Sequence, residues 1–339
     1  MSLAVVLTVL KGIRMGKGNL DFFVSFVSDF NGKTKELQDF MAHNWFSLKK
    51  GRTKGIEHYF GKDKSQYVKV YSAGSSIATI WDNDFLLFAI TQLRKNIEDG
   101  LDVSNGQLTF SCYDYYTFRY RALRDLRGKS KDSFEKAKNL ASGQHYKDLS
   151  NTLERLHNTH VKTNVKANGV TDETSFVFLP AINKRIRDSD GRVIGMKVQV
   201  ANWLIRQVQN EKNLLTFEDS YFEIKGSLER WLFLFCRKSC GVQREWKESL
   251  ISLHKKSAST LELRKFITSL KKIVAKGSIL DYELSFSEDN KFLVIKRMKS
   301  YFISGSGEQK VKKRSKVAEQ SILQLKDILQ QNSLDFDKQ

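Results

Sequence analysis

Basic and amide side chains set opposite apolar stripes are the residues best placed for chemistry. In residues 261–276, Leu263, Phe266, Ile267, Leu270, Ile273 and Val274 recur at helical spacing, which predicts an inward face. Arg264, Lys265, Thr268, Lys272 and Lys276 then occupy the remaining surface, and Thr260 sits in the capping-rich turn before it. Guanidinium and ammonium groups grip phosphate, while a hydroxyl can reach a base edge. A second face is predicted over 146–160. There Tyr146, Leu149, Leu153, Leu156 and His160 share one side, and Lys147, Asn151, Arg155 and Asn158 project from the other. An asparagine can read adenine, and an arginine can read guanine or hold phosphate, although Glu154 on the same face would repel phosphate. Lys184, Arg185, Arg187 and Arg192 ring the turn Asp188-Ser189-Asp190-Gly191, and Lys291 ends the later turn 287–291.

Catalytic readings find less support. Tyr113, Tyr115, Tyr116 and Tyr120 could supply a strand-nicking nucleophile, but that chemistry needs a His-hydrophobe-His metal pair, and the closest set is His157-Asn158-Thr159-His160. The tyrosines are therefore expected to pack. No GxxxxGK[ST] loop occurs, and Asp82 and Asp84 are explained as caps at a helix start. Cys236 and Cys240 fall on one helical face without further ligands at zinc spacing, and Cys112 stands apart. No metal, no cofactor and no enzymatic activity are expected, and three cysteines suit a reducing compartment, here the cytoplasm.

These faces need elements to position them. The chain has 339 residues, with 57 Lys+Arg against 38 Asp+Glu, a net charge of +19, and 40% hydrophobic residues. That combination predicts a folded protein with a polyanionic partner rather than a disordered basic tail. The apolar run 3–10 is too short to span a bilayer, and its basic residues follow it, so no membrane role is expected. A hairpin over 56–71, a strand at 77–80 and a helix from Asp82 or Asp84 to Gly100 come first. A strand at 108–111, helices at 113–126 and 146–160, a strand at 162–166, and a hairpin pairing 176–182 with 193–200 follow. Pro180 demotes its strand to an edge or bulge. After a connector helix at 201–209 and a strand-like 217–224, the order recurs. Helices are expected at 227–238, 248–256 and 261–276, then a hairpin of 282–286 with 292–296.

Three helices and a hairpin, occurring twice, predict an α+β chain of two tandem winged helix-turn-helix domains. The expected divisions are an N-terminal arm at 1–55, a first winged domain at 56–210, a second at 211–299, and a basic tail at 300–339. With duplex DNA as partner, the residues alone also admit a winged-helix transcription regulator.

Several segments narrow this further. They are Asp21-Phe22-Phe23-Val24, residues 41–49, Ile56-Glu57-His58, Ile77-Ala78-Thr79-Ile80-Trp81-Asp82-Asn83-Asp84, and 146–161 followed by Lys162-Thr163-Asn164. The strongest come later, at Gly226-Ser227-Leu228-Glu229-Arg230-Trp231-Leu232, Leu253-His254-Lys255-Lys256-Ser257 and 266–274. In this order, across 21–297, the chain resembles the plasmid replication initiator protein A family of bacteria. The resemblance implies tandem winged helices that bind origin repeats, open the duplex, and recruit a host initiator ATPase and replicative helicase. It also implies a homodimeric form and no catalytic residues. Residues 1–20 and those after 297 have no counterpart in that pattern.

Overall fold

The computed structural model describes residues 34–61, 63–74, 76–126, 143–166, 173–187, 193–241 and 243–298. Its architecture is mixed, with α-helices packed among antiparallel sheets. The long helix α2, Asn83–Glu98, sits at the centre, after the short α1, Gln38–Ala42. Phe85, Leu86, Leu87, Phe88, Ala89, Ile90 and Leu93 are all buried, so α2 is enclosed over most of its circumference, as an interior helix must be. Gly100, at φ +78°, lets the chain turn away after its last turn.

Two stretches follow the same order of elements. In the first, α2 leads to β4 (Gln107–Phe110), α3 (Cys112–Leu126), α4 (Gly143–Asn158), and the hairpin β7 (Ala181–Arg187) with β8 (Val193–Gln199). In the second, α6 (Ser227–Cys240) leads to β10 (Glu245–Ser249), α7 (Leu250–Lys256), α8 (Leu263–Val274), and the hairpin β12 (Tyr282–Phe286) with β13 (Phe292–Arg297). Each early strand pairs with the last strand of its hairpin, giving orders β4-β8-β7 and β10-β13-β12, the latter extended by β11 (Ser278–Ile279).

Between α4 and β7 the first stretch inserts β5 (Thr159–Thr163) and β6 (Thr174–Val177). These join β2 (Ile56–Phe60) and β3 (Gln66–Ser72) in a sheet of order β2-β3-β5-β6. The expected pairing of 176–182 with 193–200 is thereby corrected. Val177 ends a strand that pairs with β5, and Ala181 begins a different one that pairs with β8. Pro180 lies at the break, where its missing N–H costs no ladder bond.

Residues 34–55, expected as an arm, supply core. Phe40, Met41, Trp45 and Phe46 are buried, and Phe40 meets Trp45 at 4.8 Å while Trp45 meets Trp203 at 5.3 Å. Trp203 belongs to the connector α5, Asn202–Gln209. Strand β1 (Thr34–Leu37) pairs with β9 (Leu214–Phe217), so backbone bonds cross the expected border between 210 and 211. Three smaller differences are local. Residues 77–80 make only an isolated bridge, Ser47 with Thr79, and 219–223 form a 3-10 turn beyond β9. The expected helix 248–256 begins at Leu250, where the Ser249 hydroxyl accepts from the Ser252 N–H at 3.2 Å. The tail 300–339 and residues 1–33 lie outside the described residues.

Candidate nucleic-acid interface

Helix α8 buries Phe266, Leu270 and Ile273 and turns Arg264, Lys265, Thr268, Lys271 and Lys272 to the surface. The stripe read from the sequence thus packs inward, and a basic face is left opposite. Its cations differ in freedom. Lys265 stands 3.7 Å from Glu262, both strongly exposed, and Lys276 is ion-paired with Glu229 of α6. Lys291 lies 3.8 Å from Asp289 in the hairpin turn, and Thr260 is exposed ahead of the helix. The Thr268 hydroxyl donates to the Arg264 carbonyl at 3.0 Å, so a base edge would meet its lone pairs. Among the described residues, Arg264, Lys271 and Lys272 form no ion pair and donate no side-chain hydrogen bond. Lys271, three residues after Thr268 and seven after Arg264, joins them on the same face, a spacing that is its one signal in the sequence.

Helix α4 buries Leu149, Leu153 and Leu156 and exposes Lys147, Asn151 and Glu154. Arg155 departs from the free guanidinium expected there. It donates through Nε and Nη2 to Asp82 at 2.9 and 2.7 Å, and Nη2 also reaches the Thr152 hydroxyl at 3.3 Å. The hydrogen bond to Asp82 raises its pKa further, against partial desolvation. Asp82 also accepts from the Thr79 N–H and hydroxyl at 2.7 and 2.8 Å.

The capping role expected for Asp82 and Asp84 is corrected in the same place, since the Asp82 side chain makes no cap bond to α2. Both are buried anchors instead. Asp84 accepts from Arg119 of α3 at 2.9 Å and from Arg230 of α6 at 2.6 Å, with Arg230 and Asp84 almost wholly enclosed. Arg230 completes its fork on the carbonyls of Ile224 and Phe222, at 2.7 and 3.1 Å. The first turn of α2 therefore ties down α3, α4 and α6. That fixes one exposed helix face of the first stretch and the leading helix of the second on a common support. No short motif signals this role; the one available hint is that Asp82 and Asp84 sit two apart beside an entirely apolar run.

In the first hairpin, Lys184, Arg185 and Arg187 lie on β7, while the turn 188–192 with Arg192 lies outside the described residues.

The model of the replication initiator protein A family matches residues 35–284. The chain belongs to this family. The match runs from β1 into β12 and includes both basic helices. A relative from Wigglesworthia glossinidia brevipalpis, named "Putative replication protein", is 26% identical over 278 residues, spanning 81% of this chain and 92% of the relative. Two solved structures of domains 2 and 3 of RctB each align over 77% of the initiator. One is covered over 98% of its length at 14% identity and a TM-score of 0.48, the other over 96% at 15% and 0.44.

Elsewhere in the initiator, Tyr115 and Tyr116 are buried, and desolvation pushes both phenols above their ordinary range, so neither ionises near neutral pH. Burial holds the Cys112 thiol up to about 12. Among the described residues no three His, Cys, Asp or Glu side chains gather as metal ligands, and no helix is long and apolar enough to cross a membrane.

Proposed function

We propose that this initiator binds double-stranded DNA at directly repeated sequences of a plasmid origin, using α4 and α8 as the reading helices of two winged helix-turn-helix modules. The observation that carries the reading is the face of α8. Arg264, Lys271 and Lys272 are exposed and uncommitted on the third helix of a helix-strand-helix-helix-hairpin order that occurs twice. A helix that buries one apolar stripe and offers guanidinium and ammonium groups on the other side suits a major groove. In the first module the corresponding contacts are assigned to Lys147 and Asn151, which are exposed on that face where Arg155 is only partly so. The hairpin residues Lys184, Arg185, Arg187 and Arg192, with Lys291 in the second module, are assigned to phosphate.

Origin opening, recruitment of a host initiator ATPase and replicative helicase, a homodimeric repressing form and a cytoplasmic location are proposed on the family resemblance. The protein is taken to act by binding, without catalysing strand cleavage. The test is a small plasmid carrying the gene and its flanking repeats. It should replicate only with the intact gene supplied, and fail with Arg264, Lys271 and Lys272 all replaced by Ala. Replication that persists without the gene would favour a regulator of transcription instead.

A further inference from the structure

A cleft of about 500 Å³ opens between the basic loop that follows Trp45, the segment entering α2, and the facing sides of α3 and α4. That is within the size range of small-molecule sites. We propose that this cleft binds a nucleotide, with the base against Trp81 and Tyr120 and the phosphate held by Lys50 and the arginines beneath it. The inference does not rest on the duplex-reading role of α8.

The walls combine what a nucleotide requires. Trp81 is half-buried and presents a ring face that Lys50 covers, its Nζ 5.3 Å from the ring centre. Tyr116 and Tyr120 stack nearly parallel, 5.9 Å apart at 16°, and continue the aromatic surface along α3. Stacking on such rings tolerates any base, since each has a π-face. Lys50 is exposed and makes no ion pair among the described residues, so its charge is free to turn from the ring to a phosphate.

Arg119 and Arg155 add fixed donors. Asp84 holds Arg119 by Nε, and Asp82 holds Arg155 by Nε and Nη2, yet the two side chains remain 25% and 34% exposed. Each guanidinium carries five N–H groups, so spare donors remain after these bonds, in positions the buried carboxylates have already set. Both oxygens of Asp82 are occupied by donors and are not open to meet the ligand. Three cations, Lys50, Arg119 and Arg155, line the cleft against two carboxylates, Asp82 and Asp148, which leaves a positive excess suited to one phosphate group. Asp148 lines the cleft from α4 and offers an acceptor to a base edge. The ligand has two sources with this chemistry, a free nucleotide or one unpaired residue of a DNA strand.

The experiment is calorimetric titration of the full chain with AMP, adenosine, inorganic phosphate and single-stranded (dA)8 at fixed ionic strength. AMP should saturate the site, with adenosine and phosphate each at least tenfold weaker, because each meets half of it. Lys50→Gln and Trp81→Ala should each weaken AMP binding at least tenfold, and Trp81→Phe should recover most of the loss by keeping a stacking ring. Lys49→Gln, a neighbouring exposed lysine outside the cleft, should change nothing. A free nucleotide as the natural ligand predicts AMP at least as tight as (dA)8; a strand predicts the reverse, with the same variants weakening (dA)8. If Trp81→Ala lowers the melting temperature, the exposed Lys50→Gln decides. Absence of saturation by both AMP and (dA)8 overturns the proposal, as does binding that Lys50→Gln leaves unchanged. Duplex binding by the same variants should stay at the wild-type level, which separates this outcome from the fate of the α8 reading.

Discussion

At the residue scale, the two aspartates before and within the first turn of α2 hold the arrangement that presents the helices. Asp84→Ala strands Arg230, 2% exposed, without its carboxylate, and loss of one partner from a buried pair costs about 3–5 kcal/mol. Urea unfolding should show that loss, whereas Glu262→Ala, which removes an exposed partner of Lys265, should change stability by under about 1 kcal/mol. A second residue-scale effect concerns protons. Desolvation raises the Glu36 carboxyl from 4.5 to about 8, opposed by the Asn83 amide and the Leu37 N–H. Between those values the folded state keeps a proton that the unfolded chain has released, so Glu36 makes stability fall as pH rises through that window. His43 and His58, 2.7 Å apart, have the opposite sign. Burial lowers His43 from 6.5 to about 3 and His58 from 6.5 to about 4, with the neighbouring His58 a further cause for His43. Their contribution is complete above pH 6.5 and is lost as pH falls toward those lowered values. Urea midpoints against pH should therefore decline less steeply on the alkaline side in Glu36→Gln. They should decline less on the acid side in His58→Gln, and a profile unchanged by both substitutions would refute these assignments.

At the element scale, α8 divides into a stripe that packs and an exposed basic face to which the proposal assigns DNA reading. Phe266 is fully buried, so Phe266→Ala should cost about 3–5 kcal/mol of stability, and its binding loss should track unfolding. Asn151→Ala and Arg155→Ala should separate in the same way on α4. The exposed amide should weaken DNA binding with the melting temperature unchanged, while loss of Arg155 should lower the melting temperature by uncovering buried Asp82. This split also marks what the sequence could and could not convey. Helical periodicity located α8 to within two residues at each end, and alternation found both strands of its hairpin, because each pattern is written in neighbouring residues. The pairing of β1 with β9 joins segments about 180 residues apart, and nothing local announces it. Trp45 and Phe46 looked like an arm because their partners Trp203 and Phe178 lie far along the chain. Arg155 reads as a DNA contact for the same reason, since the carboxylate that claims it lies 73 residues earlier, just before α2.

At the scale of the whole molecule, the net charge of +19 makes any DNA complex sensitive to salt. Each phosphate neutralised on duplex DNA contributes a slope of about −0.9 in log affinity against log salt. Replacing Arg185, Arg187 and Arg192 together by Ala should make that slope shallower and weaken all sequences alike, the mark of phosphate contacts. Loss of sequence preference at an unchanged slope would contradict that assignment.

The central claim is that α8 reads duplex DNA at the origin repeats, and the direct measurement is a binding series on single-base variants of one repeat, with folding checked by melting. Arg264→Ala, Lys271→Ala and Lys272→Ala should each leave the melting temperature unchanged. At least one should cost about 1–3 kcal/mol on the intact repeat and erase discrimination at a particular base pair. Wild-type affinity and base preference in all three variants, with the fold intact, would contradict the account.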